Sequence, residues 1–465
     1  LTRPPGRDKV PPKRPVCFPG RRFASPAKEA AVSDPRLTAA VAKARWRLLP
    51  FLGLLYVVSY LDRINVSFAA LTMNADLGLS QAAYGLGAGI FFVGYVLFEV
   101  PSNLILARVG ARVWLARIMV SWGLATVALA AASGPTSFIA LRFVLGVAEA
   151  GFFPGIIYYL TGWFPLSHRA RAVALFMTAT PLAGLVGSPL SGWIMSLHQT
   201  YGLAGWQWLF LLEGLPAIVL GVVLYRRLPE TPGQAAWLEP GEAAVLTAAI
   251  EAERREIAAL HPAHLRQGLV SRPVWLAGFV YFCVVVAMYG LVMWLPQILA
   301  GALPDGPERT MHVSLLVMVA YAFAMIGMTA IGASSDRLGE RRWHVLGSLG
   351  LCLGGMAVMA WADGLAASLA GASLAAMGIW GALAPFWGLT TAFLTGQAAA
   401  AGIAVINSLG NLGGFAGPSI MGFVKARTGS FGEAFACIAG LMVLAAAATW
   451  FLGRPARTDN GQPGT

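Results

Sequence analysis

Twelve runs of about twenty apolar residues recur along this 465-residue chain, and that recurrence leaves few folds open. They lie at approximately 48–70, 81–105, 111–133, 136–160, 170–197, 207–227, 273–299, 311–333, 343–362, 365–388, 399–424 and 431–453. Wound as a helix at about 1.5 Å per residue, each run crosses the ~30 Å hydrocarbon layer of a bilayer. Lipid offers backbone groups no hydrogen-bond partners, so segments of this length span it as helices. The expected fold class is an all-α integral membrane protein with twelve transmembrane helices. A composition of 57% hydrophobic and 12% charged residues agrees.

The net charge of +12 does not describe a nucleic-acid-binding face. Residues 1–47 hold 12 Lys or Arg against 3 Asp or Glu, so most of the excess lies in one tail. The remaining basic residues sit between alternate spans: Arg108 and Arg112, Arg169 and Arg171, Arg226 and Arg227, Arg337, Arg341 and Arg342, then Arg454 and Arg457. The opposite loops carry only Arg309, Lys425 and Arg427. By the positive-inside rule, both termini are cytoplasmic. Lys425 and Arg427 run against that assignment at the eleventh span. The expected location is the bacterial inner membrane, with the lipid bilayer as the large-scale partner and a monomer as the working unit.

Residues 1–46 read as a disordered basic tail, rich in Pro, Arg and Gly at its start. The sequence opens on Leu, and residues 1–35 read in part as a start-site artefact, with a basic membrane-surface tail as the alternative. Residues 47–228 form a first six-helix half and 273–453 a second. Residues 229–272 link them on the cytoplasmic side through a surface helix, in which Glu251 and Arg255 are i,i+4 partners. Residues 454–465 form a C-terminal tail. Cys17, Cys283, Cys352 and Cys437 show neither disulfide nor metal spacing, and His261 and His264 share a loop without further ligands. No metal or cofactor is expected. Nor does any cytoplasmic segment carry a nucleophile–base cluster or a phosphate loop, which argues against an enzyme.

The halves repeat. Arg108-Val-Gly110-Ala-Arg112 recurs as Arg337-Leu-Gly339-Glu-Arg341, 229 residues later. Gly184, Gly187 and Gly192 recur as Gly414, Gly417 and Gly422, and Gly151 as Gly381, each 230 residues later. In transporters built from parallel six-helix repeats, the substrate site lies near the bilayer midplane, between the halves.

Charged residues inside the spans point to such a site. Asp62 and Arg63 lie in the first run, Arg142 and Glu149 in the fourth. A charge near the bilayer centre costs about 2.5–3.5 kcal/mol on insertion scales, and those that persist face a partner or a water-filled path. At about 1.5 Å per residue, Asp62 and Arg142 reach similar depths and Glu149 lies near the midplane. Asp62 and Asn65 share a helix face, whereas Arg63 is turned about 100° away. Arg binds a carboxylate through a rigid fork, and a carboxyl group in a cavity can exchange a proton. Arg63 and Arg142 are therefore candidate substrate-binding residues, with Asp62 and Glu149 as proton-coupling residues. Each also has a packing alternative: Asp62 and Arg63 as a structural pair, Arg142 as a brace near the outer loops.

Gly332-Ala-Ser-Ser-Asp336-Arg337-Leu-Gly339-Glu340-Arg341-Arg342 resembles the major facilitator signature, with Glu340 in place of a basic residue. Tyr60-Leu-Asp62-Arg63-Ile-Asn65, Arg142 through Pro154, Trp206 through Gly214 and Tyr289 through Gln297 resemble the anion:cation symporter branch. The stretch from Leu71 to Asn103 is most similar to bacterial tartrate transporters. The resemblance covers about 45–453. It implies two pseudo-symmetric six-helix halves and proton-coupled import of an organic carboxylate such as tartrate, with sodium left open as the coupling ion. Phthalate, hydroxyphenylacetate, sugar acids and nicotinate are other cargoes of the branch, and a non-transporting sensor of organic acids is the alternative function. The resemblance further implies that Tyr289, Trp294 and Gln297 face the cavity and that Asp336, Arg337 and Arg341 act in gating. Trp294 can equally be a membrane-interface residue. The amides of Asn407 and Asn411, one turn apart, can meet substrate hydroxyls or a facing helix.

Overall fold

The computed structural model describes residues 34–258, 271–393 and 396–452. Among these residues the chain is helical apart from turns. In chain order the helices are α1 (Pro35–Asp76), α2 (Gln81–Val109), α3 (Ala111–Leu129), α4 (Pro135–Glu149), α5 (Phe152–Thr161), α6 (Leu166–Met177), α7 (Ala179–Met195) and α8 (Gly205–Arg227). After α9 (Pro240–Ala258) come α10 (Arg272–Gly301), α11 (Arg309–Leu338), α12 (Arg342–Trp361), α13 (Leu365–Phe393), α14 (Gly396–Thr428) and α15 (Phe431–Leu452). With α4–α5 and α6–α7 each counted as one, eleven helices are long and apolar enough to cross a membrane, and the Gly- and Ala-rich α14 completes a set of twelve.

Three boundaries differ from expectation. Residues 35–46, assigned from sequence to the tail, are helical. Asp34 caps α1 by accepting from the Arg36 amide at 2.8 Å, and Pro35 sets the first helical φ. Residues 1–33 and 453–465, and with them Cys17 and most of both tails, lie outside the described residues, as do His261 and His264. The fourth span is broken, because Gly151 takes a left-handed φ of 88° between α4 and α5. A side chain there would also strike Ser102 of α2. The fifth span divides at Thr178 and begins at Leu166, earlier than the expected 170.

The repeat seen in sequence is a repeat of packing. In the first half α1 packs on α7 and α8, α2 on α4, and α3 on α4 and α8. In the second, α10 packs on α14 and α15, α11 on α13, and α12 on α13 and α15. The halves meet through α1 with α10, α2 with α14, and α7 with α11. Two of the matched glycines explain how they approach. Gly184 lies against the Tyr321 ring, and Gly414, its repeat, lies against the Phe92 ring. Tyr321 itself falls 229 residues beyond Phe92. A side chain at either glycine would overlap the ring, so small residues let the helices close.

The helix α9 docks on the first half. Lys43 of α1 donates to Glu242 at 2.8 Å and Arg169 to Glu253 at 2.8 Å, and in the turn just before α9 Trp237 stacks on Trp163 at 5.5 Å.

Candidate functional site

Three of the spans' buried charges, Arg63, Arg142 and Glu149, lie at the junction of α1, α2 and α4. Close packing makes that junction: Gly94 of α2 lies against the Phe143 carbonyl of α4, and Gly146 of α4 lies against the Phe91 backbone of α2. Arg63 Nε donates to Glu149 Oε1 at 2.7 Å, and Ser59 Oγ donates to the same oxygen at 2.8 Å. Both charged side chains are buried, Glu149 completely. The Arg63 guanidinium carbon lies 5.1 Å from the Tyr95 ring centre and 5.6 Å from that of Phe91, within cation–π range. Arg63 Nη2 and Glu149 Oε2 have no hydrogen-bond partner among the described residues.

Asp62, next to Arg63 in the chain, points elsewhere, as the helical 100° step requires. Its Oδ2 accepts from Thr126 Oγ1 of α3 at 2.6 Å and its Oδ1 from Asn65 Nδ2 at 3.0 Å. Arg63 therefore pairs across helices with Glu149, and Asp62 belongs to the interior of the first half. Glu213 of α8, which accepts from Ser191 Oγ at 2.9 Å, lies near enough to interact with the Asp62 charge.

Arg142 is fully buried. Its Nε donates to the Gly87 carbonyl at 3.3 Å and its Nη2 to the Ala88 carbonyl at 3.2 Å. Its guanidinium carbon lies 5.2 Å from the Phe91 ring centre, so both arginines are within cation–π range of one ring. Its Nη1 has no partner among the described residues.

From the second half, Tyr289 of α10 packs on Phe92 with ring centres 4.3 Å apart, and it is close to the Arg63 charge. Trp294 is fully buried, so its ring does not face lipid. Its Nε1 donates to the Pro418 carbonyl at 3.2 Å, and its ring sits edge-on to Tyr84 at 4.9 Å. Gln297 accepts from Asn74 Nδ2 of α1 at 3.2 Å. Asn407 and Asn411 of α14 donate to Glu99 of α2, to Oε1 at 3.1 Å and to Oε2 at 3.3 Å respectively.

The signature turn lies apart from this cluster, at the end of α11. Asp336 accepts from Arg341 Nη1 at 2.5 Å, and Arg341 also reaches Ser335. Arg337 is exposed and outside that pair. Glu340 accepts from the amides of Arg342 and Trp343 at 3.1 and 2.8 Å, capping the positive end of α12. In the first half Glu230 does the same for α3, accepting from Ala111 and Arg112 at 2.6 and 2.9 Å. Sequence reasoning missed Ser59, Phe91, Tyr95 and Thr126 as members of the site. Ser59 is four residues before Arg63 and shares its face. Thr126 sits on a different helix from Asp62 and left no local signal.

The Major Facilitator Superfamily sequence model matches residues 52–418. The chain belongs to the major facilitator superfamily. Two bacterial relatives, both provisionally named, match almost throughout. One from Agrobacterium vitis, a tartrate transporter by name, is 46% identical over 91% of this chain and 97% of its own length. The other, metabolite transport protein NicT of Pseudomonas putida, is 44% identical over 87% of this chain and 92% of its own. The fold is also that of the Escherichia coli xylose transporter XylE, with a TM-score of 0.70 and 15% identity over 89% of this chain and 98% of that one. This major facilitator protein is a secondary transporter and not an enzyme.

Proposed function

We propose that this transporter imports an organic carboxylate, with tartrate the first candidate, together with protons across the bacterial inner membrane. The observation that carries the proposal is the buried Arg63–Glu149 pair, in which one guanidinium nitrogen and one carboxylate oxygen are left unpaired. A substrate carboxylate binds at the free side of Arg63, with Arg142 Nη1 adding positive field and Tyr289, Gln297, Asn407 and Asn411 supplying polar contacts from the facing half. Trp294 holds Tyr84 and α14 in place around them. Once Arg63 shares its charge with the substrate, Glu149 loses part of its counter-charge, and this is the proposed point at which cargo binding is coupled to protons. Asp62 serves as the inner proton relay. The halves, residues 47–228 and 273–453, rock about this site, with both termini cytoplasmic, and the Asp336–Arg341 turn with Arg337 beside it stabilises one of the two states. The relatives' names support the cargo class.

The test is uptake of labelled tartrate into proteoliposomes under an inward proton gradient, an inward sodium gradient, or neither. Accumulation with protons alone supports the reading. Sodium-driven accumulation reassigns the coupling ion. Saturable tartrate binding without flux under any gradient shows a sensor instead. With neither binding nor flux, the cargo moves to phthalate, hydroxyphenylacetate or a sugar acid.

A further inference from the structure

Asn407 and Asn411 are one helical turn apart, and each amide donates to a different oxygen of one carboxylate. That is the geometry of a two-pronged carboxylate receptor. Its occupant is the protein's own Glu99, which reaches across from the other half and is 6% exposed. Glu99 is an ionisable group in an expensive place, and Arg63, the cation that acts on it, is engaged with Glu149. A tie built for rigidity alone can be made with neutral groups, as Asn74 and Gln297 do between the same halves.

We propose that Glu99 is an internal stand-in for the substrate: its carboxylate fills the Asn407–Asn411 receptor when the site is empty and is displaced by the incoming organic carboxylate. This rests on the carboxylate reading above. Displacement breaks the α2–α14 tie at the moment of loading, so the halves are freed to move only when cargo has replaced Glu99. The stand-in also excludes ligands that cannot satisfy both amides.

The experiment compares Glu99→Ala with the double variant Asn407→Ala, Asn411→Ala in tartrate uptake by proteoliposomes. Thermal protection by tartrate in detergent is the second readout. A competing internal ligand predicts opposite shifts. Glu99→Ala vacates the receptor and lowers the half-saturation concentration severalfold, whereas the double variant raises it about tenfold or more, as expected for lost hydrogen bonds to a charged group. A merely structural tie is broken equally from either side, so shifts in the same direction overturn the proposal, as does an unchanged half-saturation in Glu99→Ala. If Glu99→Ala does not fold, Glu99→Gln keeps the size and offers one acceptor oxygen, with a smaller shift of the same sign. If the wild-type protein transports no member of the carboxylate panel, the carboxylate reading and the stand-in fall together. Saturable wild-type uptake with same-direction variants removes the stand-in alone.

Discussion

Arg63→Met isolates the energetics of the central pair. The substitution keeps an apolar stem beside Phe91 and Tyr95 but removes the 2.7 Å bond to Glu149 Oε1. Glu149 is then left with Ser59 alone, its Oε2 already without a partner. Breaking a buried ion pair from one side costs about 3–5 kcal/mol, because the surviving charge has no compensation. Arg142 is close enough to act on Glu149, which places the expected loss near the lower end, about 3 kcal/mol. That corresponds to roughly a hundredfold shift in the unfolding constant. Adding Glu149→Gln removes the stranded charge while keeping an acceptor for Ser59, and the double variant should recover at least about 1.5 kcal/mol relative to Arg63→Met. Reversible unfolding in mixed detergent micelles, followed by tryptophan fluorescence, reads all four proteins of the cycle. An Arg63→Met protein within about 1 kcal/mol of wild type, or a double variant no more stable than that single one, refutes the compensation argument.

Three other outcomes are expected. Glu149→Gln should retain exchange of internal for external tartrate but lose accumulation driven by a proton gradient; undiminished gradient-driven accumulation removes Glu149 from coupling. Gly184→Ala puts a methyl group into the Tyr321 ring and should cost about 1–3 kcal/mol by overpacking, with Tyr321→Ala restoring part of the lost uptake; an unaffected single variant would show that the α7–α11 contact is loose. The hydrogen bond from Lys43 holds the Glu242 carboxyl below its ordinary value of 4.5. A depressed carboxyl contributes stability above its unfolded value and loses it as pH falls through the folded one. Limited proteolysis of α9 should therefore increase only below about pH 4.5, and Glu242→Gln should abolish that dependence; release at neutral pH would contradict it.

The twelve spans, the internal repeat and the presence of charges within long apolar helices were legible in the sequence. These follow from local quantities: run length against bilayer thickness, and spacing along a helix. Even the divergence of Asp62 and Arg63 onto different faces was legible from the 100° step. The breaks at Gly151 and Thr178 were not, since a long apolar run gives no sign of where a neighbouring helix will crowd it. Partner choice was decided by tertiary structure alone. Arg63 takes Glu149 and Arg142 takes two backbone carbonyls of α2 because Gly94 and Gly146 let α2 and α4 close to contact. Asn407 and Asn411 meet Glu99, some 300 residues away in the chain, because the repeated glycines bring α14 against α2. Hydrophobicity and helical period act within a segment, so one sequence carries them in plain view. Which buried charges pair depends on the distances between segments, and those exist only once the helices have packed.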